Sequence, residues 1–296
     1  MHSPGTCHHP RLVMRPYGGT NPLLNRREYV LSRAMQSTLE SLAGGVDVHE
    51  GTVTAALADF DNRRRILAGP HFRLIIQHAT VLTVQQGTQD ARHLLARKGI
   101  QHPKRSIGGK AIPNPTPLVI PPAPSKPQPW GKIVDKMTDH TIDHFNRIAD
   151  DLKDRLEDTL NEGYSAGDGA RDLRDRVQNV LGIDSRRAAE RARTLTMETY
   201  NQAHLVQYND AGIPGFEILG APDERQCEIC ADMDGTVFSL KDPDLMWPPF
   251  HNDCRCVASP HVDALPEDAG QVSDNTREFY DNWSTKYFDI PLYAGE

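Results

Sequence analysis

Four of the five cysteines, Cys227, Cys230, Cys254 and Cys256, fall within 30 residues of one another, and His251 lies among them. Thiolate sulfur and imidazole nitrogen are ligands that zinc takes four at a time in a tetrahedron. A Cys-x-x-Cys turn sets two sulfurs on one side of an ion, and His251-Asn-Asp-Cys254-Arg-Cys256 makes a second knuckle. Between them, Met233-Asp234-Gly235-Thr236-Val237-Phe238 reads as a turn entering a strand, which folds the segment back on itself. Five donors then compete for four places. The expected set is Cys227, Cys230, Cys254 and one of Cys256 or His251, and the residue types leave that choice open. The expected cofactor is a zinc ion with a structural role, since no second constellation supplies an open coordination position with a general base.

Other readings of the same residues fare worse. A redox Cys-x-x-Cys sits between a strand and a helix in an α/β pattern, and no such pattern precedes Cys227. Paired disulfides need an oxidising compartment, and the first 19 residues lack the apolar run of a secretory signal. Unpaired core thiols leave the clustering unexplained. A His-Asn-His-type nuclease is the strongest enzymatic alternative, because His251-Asn252 superficially fits it. Such an enzyme needs further histidines on a strand–helix unit, and only His261 follows Cys256. His140 and His144 have metal-compatible helical spacing but flank aspartates, so they read as solvated. Cys7 stands alone, and His8-His9 lie in a stretch without periodicity.

The elements that must hold the cysteines are mostly helical. Residues 1–24 read as a flexible arm. From Asn25 onward, Leu31, Met35, Leu39 and Leu42 form one apolar stripe, ended by Gly44-Gly45. Further helices are expected over Val48–Leu67, His71–Gln86 and Thr88–Lys98, making 25–102 a helical N-terminal domain. Nine prolines fall between 103 and 129. Proline has no amide donor and restricts its predecessor, so 103–130 is an extended, semi-rigid linker. Lys132 to Glu162 is a long amphipathic helix, with Val134, Met137, Phe145, Ile148, Leu152, Leu156 and Leu160 on one face. Helices over Ala170–Val180 and Ser185–Ala211 complete a helical region at 131–212. The cysteine module occupies 213–260, and 261–296 reads as an acidic tail. The expected fold class is mainly α, with a small C-terminal zinc-clipped α+β module.

The net charge of -7 conceals a gradient. Residues 1–110 carry 15 basic and 7 acidic side chains, whereas residues 210–296 carry 5 and 18. The mean excludes a uniformly basic nucleic-acid binder, but the N-terminal third offers Arg26, Arg27, Arg63, Arg64 and Arg65 as candidates to face DNA phosphates. No stretch is apolar for the ~18 residues that a bilayer span requires, so no membrane partner is expected.

Read together, the order of motifs is distinctive. It runs Arg191-Ala-Arg193-Thr194, then Tyr200-Asn201-Gln-Ala203-His, Ala211-Gly212-Ile213 and Asp223-Glu224-Arg225-x-Cys227-x-x-Cys230. Asp234-Gly235-x-Val237-Phe238 and Pro248-Pro249-Phe250-His251-x-x-Cys254-Arg255-Cys256 follow. This order resembles the Mu F-like minor head proteins of tailed phages, also called head morphogenesis proteins, over roughly residues 145–260. The resemblance implies a non-enzymatic virion protein of low copy number inside the head, associated with the portal. Its implied partners are the portal protein, major capsid or scaffolding proteins and packaged double-stranded DNA, with a role in DNA packaging or ejection.

Overall fold

The computed structural model describes residues 22–48, 52–100 and 131–287. Nearly all of the expected arm and linker, together with Cys7, His8 and His9, lies outside the described residues. Within them the chain is mainly helical with one small antiparallel sheet, in the order α1 (Pro22–Ala43), α2 (Val53–Leu57), α3 (Phe60–Leu67), α4 (Pro70–Arg97), α5 (Gly131–Ala166), α6 (Ala170–Ala211), β1 (Gly215–Leu219), α7 (Glu228–Met233), β2 (Val237–Ser239), β3 (Val257–His261) and α8 (Asp274–Tyr287). No described helix is long and apolar enough to cross a membrane.

The described residues fall into two compact units, each discontinuous in sequence. The first takes the described parts of Pro16–Thr80 and Asp135–Thr196. Its core is built from apolar stripes at helical spacing: Leu31, Met35, Leu39 and Leu42 from α1, and Phe145, Leu152, Leu156 and Leu160 from α5. Phe72 and Phe145 meet with ring centroids 4.5 Å apart. The wet face of α5 is tied down by ion pairs, Arg64 to Asp150, Arg73 to Asp139 at 2.6 Å and Lys153 to Asp61 at 2.5 Å. The carboxylate of Asp184 on α6 is fully buried and is met by Arg155 of α5. The buried carboxylate is compensated by the opposite charge of Arg155, with Arg187 a second cation at 3.9 Å.

The second unit takes the described parts of Val81–Val134 and Met197–Glu296. Its sheet has the strand order β2-β1-β3, antiparallel throughout, with Phe216 opposite Phe238 on one side and Pro260 on the other. Phe216, Phe238, Met233, Met246, Phe250 and Tyr208 fill the core beneath it. The amide of Gly270 donates to the carbonyl of Val237 on β2.

Four local expectations give way here. Val48–Leu67 is two helices, because Thr52 and Asp59 each begin a new one, Thr52 by accepting from the Ala55 amide at 3.2 Å. The expected helices on either side of Gly87 are one helix, α4. A glycine inside a helix costs about 1 kcal/mol relative to alanine, but here it admits a neighbour: a Cβ on Gly87 would lie 2.6 Å from the Tyr200 carbonyl oxygen. Likewise α6 runs unbroken through Gly182, with Val180, Leu181, Ala188 and Ala192 all buried. Finally, the acidic stretch after 261 contains α8. Its start is capped by Ser273, whose hydroxyl also donates to Asp232 at 2.8 Å, and its Tyr280 ring meets Phe250. Charge made this segment look like a tail, but Tyr280 packs on Phe250 and Trp283 is buried.

Candidate metal centre

The first two sulfurs are placed by a short helix, α7. Cys227 is the N-cap of α7, its Sγ accepting from the Cys230 amide at 3.5 Å, so Cys230 follows one turn later on the same side. The other donors come from the turn before β3. There Asp253 takes a left-handed φ of 66°. That conformation is unfavourable for most side chains and best tolerated by Asn and Asp. It reverses the chain between His251 and Cys254, whose amide bonds the His251 carbonyl at 3.3 Å.

The two knuckles meet. His251 Nε2 lies 3.2 Å from Cys227 Sγ and 2.9 Å from Cys230 Sγ. Cys230 Sγ is 3.9 Å from Cys254 Sγ. With zinc–sulfur bonds of about 2.3 Å, the edge of a tetrahedral site is ~3.8 Å, so this spacing suits two ligands of one ion. The donor atoms form two overlapping sets, Cys227, Cys230 and His251, and Cys230, Cys254 and Cys256, each within 4.8 Å throughout. Cys230 belongs to both. Each set has donors enough to begin a coordination sphere, and together they can hold a metal ion.

His251 also has the second contact that a metal-bound imidazole needs. Its Nδ1 is 2.6 Å from the Asn252 carbonyl, a partner for the Nδ1 proton, so that Nε2, which faces the sulfurs, is the nitrogen that could bind an ion. The electrostatics are those of a site built for a cation. Burial works against ionising Cys254, yet hydrogen bonds from Cys230 and Cys256 and the adjacent His251 carry its thiol well below the usual range. Burial lowers the His251 pKa, but the Cys254 thiolate overcomes this and holds it well above the ordinary value. Cys230, hydrogen-bonded to Cys227 and Cys254, is pushed up. Several thiols cannot all be ionised in one buried cluster without a positive charge among them, and a divalent ion could supply it.

Two groups around the cluster carry the knuckles. Asp223, four residues before Cys227, receives both arms of Arg255, at 2.5 and 2.6 Å. It also accepts from the Arg225 amide at 2.9 Å. The Arg255 bonds hold its carboxyl well below the usual carboxylate range. On the other side, three fully buried residues of α6 reach the strand that follows Cys256: Asn201, His204 and Tyr208. Asn201 and His204 belong to the motif Tyr200-Asn201-Gln-Ala203-His, to which the sequence alone gave no task, and Tyr208 lies outside it. Their spacing of three and four along one helix puts all three on one face, and that was the available signal.

The other sequence candidates are not brought to this cluster. Arg27 is buried. Arg63 pairs with Asp59 at 2.6 Å, Arg64 with Asp150, and Arg65 donates to Asn62 at 2.9 Å. The side chain of Arg26 lies outside the described residues. His140 and His144 are buried rather than solvated, their rings edge to face with centroids 4.5 Å apart. Asp139, beside His140, is taken by Arg73.

Residues 151–259 match the family model described as Phage Mu protein F like protein. This span contains the second half of α5, all of α6 and both cysteine knuckles, and it carries the motifs whose order resembles phage head morphogenesis proteins. No curated protein and no solved structure matches the chain at a significant level.

Proposed function

Taking residues 151–259 as a Mu F-like domain of the phage head morphogenesis type, we propose that the chain is a non-enzymatic component of a tailed-phage head. In this reading it sits inside the head near the portal, contacts the portal protein and major capsid or scaffolding proteins, and assists DNA packaging or ejection. The observation that carries the proposal is the coincidence of the family match with the donor cluster at its C-terminal end. There, Cys227, Cys230, Cys254 and one of Cys256 or His251 would hold zinc. A bound zinc ion would supply no reaction chemistry; it would cross-link two short knuckles whose own apolar core is small.

The placement of His251 argues against the nuclease alternative. A general base must reach a substrate proton, whereas His251 Nε2 is turned onto two sulfurs and the residue is buried. Quantitative proteomics and reconstruction of assembled particles test the structural role directly. The chain should co-purify with mature heads at a fixed, low ratio to the major capsid protein and be assigned beside the portal. Its absence from particles, or metal-dependent nicking of DNA by the purified protein that His251→Ala abolishes, would overturn the reading. Duplex DNA remains a proposed partner, although Arg63, Arg64 and Arg65 are engaged within the chain. Binding that weakens steeply with salt supports DNA contact, and binding that is absent or salt-independent removes it.

A further inference from the structure

Among the described residues, strand β3 has β1 on one side and no strand on the other. Its outer side is nevertheless hydrogen-bonded, by a helix. The Asn201 carboxamide donates from Nδ2 to the Cys256 carbonyl at 3.1 Å, and its Oδ1 accepts from the Ala258 amide at 3.2 Å. A carboxamide offers a donor and an acceptor side by side, as a peptide unit of a neighbouring strand does. Asn201 therefore reads the backbone on both sides of Val257. The next carbonyl on the same edge, that of Ala258, is taken by the Tyr208 hydroxyl at 2.9 Å and lies 3.1 Å from His204 Nδ1. All three side chains are fully buried.

We infer that Asn201 is a positioning residue for the metal centre: it holds the Cys254–Cys256 knuckle in its ligating conformation before an ion arrives. The inference rests on the metal reading above and deepens it by assigning a residue of α6 to the site. On its exposed side the knuckle is tied to Asp223 through Arg255. It contains a left-handed residue, Asp253, and one backbone hydrogen bond, from Cys254 to His251, closes it. A chain so held samples other conformations unless something outside fixes it, and ordering it on binding lowers affinity. Asn201 removes that cost at Cys256, two residues from Cys254, and Tyr208 extends the hold by one residue. The neighbours that orient ligands are commonly worth ten- to a hundredfold in metal affinity.

The test is a zinc competition titration of the full-length chain against a chromogenic chelator, with cobalt substitution to report the coordination sphere. Asn201→Leu should weaken zinc binding about 10- to 100-fold while the cobalt variant keeps tetrahedral ligand-field bands at unchanged positions, because no ligand has been lost. Asn201→Asp retains the acceptor for the Ala258 amide and should fall between Leu and the natural residue. Leu156→Ala, in the core of the other unit, should lower thermal stability and leave zinc affinity unchanged. If Asn201→Leu does not fold, Asn201→Asp and Tyr208→Phe carry the test, each with a smaller loss of affinity. Zinc binding equal to that of the natural protein in the Asn201 variants overturns the positioning role. Failure of the natural chain to bind zinc or cobalt at all overturns the metal reading itself.

Discussion

Arg255, the residue between two candidate ligands, grips Asp223 with both arms, at 2.5 and 2.6 Å, and so ties the second knuckle to the segment leading into the first. Bidentate pairs of this kind are directional as well as attractive. The pair is partly exposed, with Asp223 at 37% and Arg255 at 14% of side-chain accessibility, so solvent screens much of its energy.

Asp223→Asn should therefore lower stability by only about 1 kcal/mol near neutral pH. The pH signature is sharper. An aspartate whose folded pKa is depressed contributes stability that is present above its unfolded value, about 3.9, and lost as pH falls below it. Acid unfolding followed by circular dichroism should show the natural protein converging on the Asn variant below about pH 4.

His204 gives a second window. Burial pushes its pKa down to about 4, so its neutral form stabilises the fold, fully above the unfolded value of about 6.5 and less as pH falls from there towards 4. A shift of this size corresponds to about 3 kcal/mol. In chemical denaturation at pH 7 and pH 4.5, His204→Asn should narrow the difference in stability between the two pH values relative to the natural chain. An equal difference would remove His204 from the acid response.

The ligand set can be read from single substitutions. Cys230 belongs to both donor groups, so Cys230→Ser should abolish stoichiometric zinc binding measured by elemental analysis. Cys256→Ser and His251→Ala should behave unequally: the variant that loses a ligand binds zinc at least 100-fold more weakly, and the other stays within a fewfold. Cobalt charge-transfer intensity, which scales with the number of thiolates, identifies the natural set independently.

Gly87→Ala should destabilise the protein although alanine is the better helix former. The added methyl would sit 2.6 Å from the Tyr200 carbonyl oxygen and 2.9 Å from the Ala203 Cβ. Overpacking of this kind costs about 1–3 kcal/mol, more than the helix-propensity gain of about 1 kcal/mol. Thermal unfolding at neutral pH checks the sign.

The apolar stripes of α1 and α5 were legible because a helix that buries one face writes its period into the chain. The donor cluster was legible because Cys and His are scarce and their spacing is constrained. What misled was local punctuation: Gly87 and Gly182 look like stops, yet a close helix contact at Gly87 and buried neighbours around Gly182 keep α4 and α6 continuous. Both units draw on residues before and after the proline-rich stretch, a pairing of distant segments that no local pattern announces. Asn201 was visible as a letter in a motif, but its work depends on a strand 55 residues away, and no local pattern encodes that distance.

The finished edges of the small sheet bear on how the chain meets its neighbours. An open strand edge is an invitation to further strands, and in a crowded assembly it would recruit them without selectivity. Here one margin is closed by side chains of α6, and on the other Val237 already accepts the Gly270 amide. Backbone pairing is thus already satisfied at these points, so recognition there falls to side-chain shape and charge, which discriminate between neighbours as a bare strand edge does not.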